Sequence, residues 1–438
     1  MAVSPLDTRY FTEMNEVFDE QSRLRRWLEV EVALAHAHAE AGNMPKKCAR
    51  EIEQAAERVK LERVKAIEAE IHHDLMAMVR ALSEQCTPES ARYVHLGATS
   101  YDIEDTATAL MLKDAYDIIE KRCIRLGEVL KKLALKHAKT VCVGRTHGQH
   151  AVPTTYGLKF ALWKSELDRH LIRLAQSKPR VYVGKVSGAV GTMAALGDKA
   201  FRIEGLLMKR LKLEAAKVTN QVVQRDRHAE SLFILALIAS TLEKMAKEIR
   251  NLQRSEIGEV AEPFGKKQVG SSAMPQKRNP HKCERICSLA RVVRADVQVA
   301  LENIALEHER DLTNSANERI IIPQSFILTD YMLKQMTPIM RGLVFFPENI
   351  RRNLELSGGA ILSERMVGAL VDRGMQRQKA HALVREIALS AFKSKVRVKE
   401  VALKDHRIKK LLSRKELDEL FDYKTYIGQA EKIVRRSV

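Results

Sequence analysis

Three polar segments of this 438-residue chain combine hydroxyls, titratable groups and glycine in ways a helical core does not require. In GSSAMPQKRNP, Gly270 to Pro280, Ser271 and Ser272 lie a few residues ahead of Lys277, Arg278 and Asn279. Backbone N–H groups, two hydroxyls and adjacent cations suit an anion, and a loop of this composition can close over a ligand and present a reactive serine. In GRTHGQHAVPTT, Gly144 to Thr155, His147 follows Thr146 in a glycine-flanked turn. A histidine there suits general acid or base work because it titrates near neutral pH, and a purely structural histidine fits these residues equally well. His147 and His150 do not make a metal site, because no third ligand stands at a recognisable spacing. In HLGATSYDIEDT, His95 to Thr106, the hydroxyls of Thr99 and Ser100 precede a helical pattern. A helix N-terminus with free N–H groups can hold a carboxylate or phosphate, and simple N-capping accounts for the same residues.

Smaller clusters stand elsewhere: Arg9 and Tyr10 in TRY, His72, His73 and Asp74 in EIHHDL, and Arg310, Ser315 and Arg319 in HERDLTNSANER. Guanidinium forks match phosphate geometry. Taken one at a time, each cluster is more simply a surface ion pair.

These groups need elements to hold them, and the periodicity supplies helices. Leu235, Ile238, Leu242, Met245, Ile249 and Leu252 alternate steps of three and four, the seam of a packed helix. Similar patterns run over about 102–138, 154–175, 284–306 and 324–343, so five long helices are expected to form a bundle. Thr99 with Asp102 reads as a capping box, and Pro153 with Thr154 and Thr155 reads as a helix start. RVYVGKVSGAVG, 180 to 191, reads as a short hairpin or an extended loop. The expected class is all-α: a long central bundle domain over 100–349 carrying the serine loop, flanked by smaller helical domains over 1–99 and 350–438.

Composition agrees with a helix-rich globular chain: 45% hydrophobic and 30% charged residues, with 20 Gly and 11 Pro. No N-terminal apolar stretch resembles a signal peptide, and the longest apolar run, LFILALIA, is too short to cross a bilayer, so a cytoplasmic protein without a membrane partner is expected. The six scattered cysteines contain no CxxC pair, which argues against a disulfide framework or a zinc knuckle. A net charge of +18 favours acidic partners without choosing among them. Its concentration after Lys393 is expected to be a solvated face, and nucleic-acid binding is not expected.

The segment GSSAMPQKRNP resembles the signature loop of the fumarase/aspartase superfamily, GSSxMPxKxNP. The segments TRY, HHD, VHLGATSYDIEDTA, GRTHGQHAVPTTYGLK, VGKVSGAVGT, QRDRHAE and HERDLTNSANERI follow in the order of that superfamily, so the resemblance spans nearly the whole chain. Ala273 and Arg278 at the variable positions resemble the branch acting on succinylated purine nucleotides; fumarases and aspartases usually carry valine before Asn-Pro, and argininosuccinate lyases a second lysine. The resemblance implies a homotetramer with a twenty-helix core, active sites shared among subunits, and β-elimination of fumarate from a succinylated amine without metal or organic cofactor. It implies Ser271 as general base, His147 as general acid, Glu284 as the carboxylate orienting that histidine, and Lys277 as support for the serine alkoxide. Thr99, Ser100, Lys277 and Asn279 would hold the succinyl carboxylates, and Arg9, Tyr10, Arg310, Ser315 and Arg319 the phosphate. His72, His73, Asp74, His95, Thr146 and Gln221 complete the expected substrate-binding set. Two other readings are a lyase or cycloisomerase for a non-phosphorylated substrate, which has no use for three arginines together, and a non-catalytic binder, which has no use for Ser271, His147, Lys277 and Glu284 together.

Overall fold

The computed structural model describes residues 4–438, and it is mainly helical, in agreement with the all-α expectation. Five long helices are present: α1 (Ser100–Lys136), α2 (Tyr156–Val181), α3 (Asp226–Leu252), α4 (His281–Glu302) and α5 (Ser315–Arg341). The α3 seam is buried throughout, with Leu235, Ile238, Leu242 and Met245 fully removed from solvent. The expected starts move by two or three residues for α1, α2 and α4, while α3 and α5 begin well ahead of their apolar periods, α5 in the polar run SANER, where no such period announces a helix.

One element departs from the sequence reading. Val141–Thr146 and Gln149–Thr155 form an antiparallel hairpin, β1 and β2, so Pro153, Thr154 and Thr155 belong to a strand and not to a helix start. The alternation that announces a strand is broken by a register shift between Val143 and Arg145, and Pro153 mimics a helix-opening proline. Over 180–191 only Val183–Gly184 is extended, paired in parallel with Glu214–Ala215.

The chain divides into two compact units whose boundaries fall within the long helices. The first comprises the chain up to Ile124, His170–Leu242 and Ser288–Lys334; the second comprises Arg125–Arg169, Glu243–Cys287 and Gln335–Val438. The first unit has a core in which Leu24, Leu34, Ile52, Leu75, Met78 and Leu82 pack with Ile103, Ala107, Ile203 and Leu207. The second contains a separate core of Met366, Leu370, Val384, Ile387, Ile408 and Leu417. No helix is long and apolar enough to cross a membrane among the described residues.

In the first unit, the start of α1 is tied down by one buried carboxylate. Asp102 reaches back to the Thr99 N–H at 2.8 Å, which is half of the expected capping box. It also accepts from the Ser187 N–H at 2.8 Å, from the Gly188 N–H at 3.1 Å and from the Lys185 ammonium. Asp102 and Lys185 are each 1% exposed in their side chains, so the pair is matched out of water. Removing one partner of such a pair leaves an uncompensated buried charge, at a cost of about 3–5 kcal/mol. Asp102→Ala is therefore expected to lower unfolding stability by about that amount in a denaturant titration. A loss below about 1 kcal/mol would show that Lys185 finds another partner.

Candidate active site

The first unit gathers seven of the expected site residues around one pocket of about 480 Å³: His72, His73, Asp74, Ser100, Arg310, Ser315 and Arg319, with Tyr101 and Glu104 between them. Most come from element ends, while Arg310 stands in the loop between α4 and α5 and Arg319 in the second turn of α5. His72 takes a left-handed conformation (φ 54°) that closes the helix Leu61–Ile71, and His73 caps the helix Asp74–Ser83 by accepting from the Met76 N–H. Ser100 opens α1, and Ser315 opens α5. The two long helices are held together by Arg225, which forks onto Asp105 of α1 at 2.8 and 2.9 Å and reaches Glu318 of α5 at 3.1 Å. Burial favours the neutral form of Glu318, but His228 and Arg225 overcome it and hold the carboxyl down at about 2. Ser315 thereby stands one turn before an anchored residue and Arg319 directly after it.

Around the pocket, Arg319 donates to Asp74 at 2.7 Å, and the Arg310 guanidinium lies 3.6 Å from the Tyr101 ring centroid. Burial works against the Asp74 charge, yet Arg319 prevails and lowers its pKa. Arg310 also donates to Gln221 at 2.6 Å, whose amide in turn donates to the Ala189 carbonyl. Gln221 thus acts on the pocket through Arg310. His95 does not line the pocket: its Nδ1 bonds Glu31 at 2.5 Å, and although burial opposes a charge on the ring, this bond and the Glu31 charge raise its pKa. Arg9 is exposed and away from the pocket walls, and Tyr10 packs edge-on against Tyr331.

Thr99, just ahead of α1, also belongs to the first unit but does not line the pocket, and the second unit holds the remaining candidates. His147 and Gly148 form the two-residue tip of the β1–β2 hairpin, with φ of 53° and 75°. Positive φ at both central positions is the type I′ pattern that matches hairpin twist, and it requires Gly148. Thr146 and His147 are exposed at this tip, and the hairpin base is held by buried Glu259, which accepts from Arg145 and from Tyr156 at 2.5 Å each and from Asn353 at 2.9 Å.

The serine loop is closed on itself. Ser271 Oγ accepts from the N–H groups of Ala273 and Met274 at 3.3 and 3.1 Å, and the Asn279 amide donates to the Gly270 carbonyl at 2.8 Å. A Cβ on Gly270 would stand 2.1 Å from the Lys277 carbonyl oxygen, so glycine is required here by close backbone approach. The loop leads into α4, where buried Glu262 accepts the N–H of Cys283 at 3.1 Å and that of Lys282 at 3.3 Å. Lys277, Asn279 and Glu284 line a cavity of about 710 Å³ with Lys247, Arg250, Arg254 and Arg278, a strongly cationic wall suited to carboxylates. Glu284 is exposed, and no hydrogen bond joins it to His147 within the chain among the described residues. No group of three or more His, Cys, Asp or Glu side chains is placed to hold a metal ion among the described residues.

Several residues that build the site escaped the sequence reading. Glu104 lies four residues after Ser100, so helical spacing puts it on the same face and was a usable signal. Lys247, Arg250 and Arg254 likewise repeat at helical spacing. Glu259 and Glu262 carry no local signal, because their partners lie far along the chain.

Residues 8–295 match a family model described as Lyase, and residues 359–437 match one described as Adenylosuccinate lyase C-terminus. Adenylosuccinate lyase from Pyrococcus horikoshii is 56% identical over 100% of this chain and 98% of its own length. Among solved structures, a 3-carboxy-cis,cis-muconate lactonizing enzyme from Pseudomonas putida superposes with a TM-score of 0.91 at 36% identity, covering 99% of this chain and 98% of that one. A fumarate lyase from Mesorhizobium sp. BNC1 gives 0.90 at 34% identity, covering 97% of each chain. The sequence signature, the helical fold and these full-length similarities converge: the chain belongs to the adenylosuccinate lyase family of the fumarase/aspartase superfamily.

Proposed function

We propose that this chain eliminates fumarate from adenylosuccinate, giving AMP, and from succinylaminoimidazole carboxamide ribotide, giving AICAR. The observation that carries the reading is the Ser271 hydroxyl held on two backbone N–H groups. β-Elimination must remove a weakly acidic proton beside a carboxylate, and a free serine is far too weak a base in water. Donors aimed at the oxygen favour the alkoxide, and Lys277 in the same loop adds positive charge. Ser271 takes the proton from carbon, the C–N bond breaks, and His147 delivers a proton to the departing nitrogen. Thr99, Ser100, Lys277 and Asn279 hold the two carboxylates of the succinyl group, with Ser100 at the open start of α1. Arg310, Ser315 and Arg319 grip the phosphate in the first-unit pocket, beside His72, His73 and Asp74; Arg9, Tyr10, His95, Thr146 and Gln221, which do not line that pocket, are assigned to the substrate's surroundings on the superfamily resemblance.

His147 and Glu284 are both exposed and unbonded to each other in one chain, which supports a site completed by other copies. Ile124, Leu162, Ile172, Phe233, Leu301 and Ile320 leave apolar surface on all five long helices, from 50% to 63% exposed, as a helix-to-helix assembly needs. The assembly we assign is a homotetramer with Glu284 of one copy orienting His147 of another, working in the cytoplasm. The three-part division at 99 and 349 is kept as our reading of the domains, supported by the self-contained core over 366–417.

Purified protein given adenylosuccinate is expected to release AMP and fumarate, and absence of release above an inactive control would sink the assignment. Ser271→Ala and His147→Ala are each expected to lower kcat by about two orders of magnitude or more with unchanged thermal unfolding, since neither side chain is core packing. Near-normal turnover in either variant removes that role. Because Glu284 and His147 are assigned to different copies, and Ser271 stands in the loop that leads into the helix of Glu284, mixing the two inactive variants and allowing subunits to exchange should restore part of the activity. A mixture as inactive as its components would place both residues of each site on one chain.

A further inference from the structure

Glu104 stands one helical turn after Ser100 and lines two cavities of the first unit. One is the pocket with Asp74, Arg310 and Arg319. The other is a smaller cavity of about 110 Å³, lined by the apolar Phe18, Trp27, Met111, Ile322 and Pro323 and by the charged Arg23, Asp105, Arg225, Glu318 and Arg319. The Glu104 side chain is 14% exposed, and its Oε2 is 4.0 Å from Arg319 Nη2. That same nitrogen donates to Asp74 at 2.7 Å. Two carboxyl groups therefore face one guanidinium, and only Asp74 bonds it. Of the groups on its own helix, Asp105 is committed to Arg225 and Tyr101 packs under Arg310. His72 and His73 face the pocket from the turn ahead of Asp74, beside Glu68. No hydrogen-bond donor reaches the Glu104 carboxyl among the described residues.

We propose that Glu104 sets the affinity of this pocket for an anionic group: as a neutral acid it leaves one unmatched positive charge among Asp74, Arg310 and Arg319, and once ionised it competes with the ligand for Arg319. The inference rests on the phosphate reading given above. Chemistry supports the neutral form at physiological pH. The apolar wall behind Glu104 and the nearby Asp74 charge push its pKa up to about 8 against the pull of Arg319. Binding of a dianion is therefore strong below that pH and weakens as pH rises through it, because the carboxylate that forms repels the ligand.

The test is AMP binding by calorimetry to the full chain at pH 7 and pH 9, where the phosphate, with a second pKa of about 6, stays doubly ionised. One group titrating near 8 predicts a Kd about tenfold weaker at pH 9 than at pH 7 in the unmodified protein. Glu104→Gln should bind with little change between the two, and Glu104→Met, which also lacks the charge and suits the apolar wall, should behave the same if the amide disturbs folding. His72 and His73 remain in both variants, so an equal pH slope in the variants and the unmodified protein would assign the effect to other groups and overturn the proposal. Arg319→Ala separates the two levels. If it weakens AMP binding while the slope persists in both Glu104 variants, the phosphate pocket stands and the Glu104 role falls. If it leaves binding untouched, the pocket does not hold the phosphate and both fall.

Discussion

A carboxylate taken out of water must be given a full set of donors, and the whole arrangement depends on meeting that constraint at a few points. Asp102 and Asp105 in the first unit and Glu259 and Glu262 in the second are buried, and each ends on a backbone or side chain that matters to the candidate site. Asp102 fixes the start of α1 and the loop after Lys185; Asp105, through Arg225, ties α1 to α5. Glu259 braces the hairpin that carries His147, and Glu262 caps the helix that carries Glu284. Hydrophobic burial supplies most of the stability of such helices, but it is indifferent to small sliding and rotation. Directional bonds to buried charge are what place an active group to within a fraction of an ångström.

The two units solve the positioning problem differently. In the first, the pocket lies among element ends, where capping residues and free N–H groups are available for anions. In the second, the reactive groups stand away from the helices, on a hairpin tip and a self-bonded loop. Exposure of His147 at the tip is consistent with a group that meets its partners only when other copies are present.

Much of the fold and of the candidate site is legible in the sequence, for specific reasons. The α3 seam repeats without interruption for several turns, so helix and buried face were both readable. Ser271, His147 and the first-unit arginines stood out because hydroxyl, imidazole and guanidinium side chains cluster with glycine in segments that core packing leaves unexplained. The hairpin was missed because its alternation is short, shifted in register and marked by a proline that also suits a helix start. The Asp102–Lys185 pair links positions more than eighty residues apart, and Glu259 reaches back over a hundred to Arg145. Such contacts leave no local period, only residues that look ordinary until the chain brings them together.

The serine loop carries its own frame: the donors to Ser271 come from residues two and three places on, and the Gly270 and Asn279 ends are stitched to each other. The proposed base and its donors are therefore built into a contiguous stretch of chain, as in a cassette. Such a cassette can be displaced as a body, or transplanted between related scaffolds, with the serine and its two donors still in register. For evolution this separates two problems, so that the walls of the pocket can be remodelled for a new leaving group while the proposed base and its donors are inherited intact.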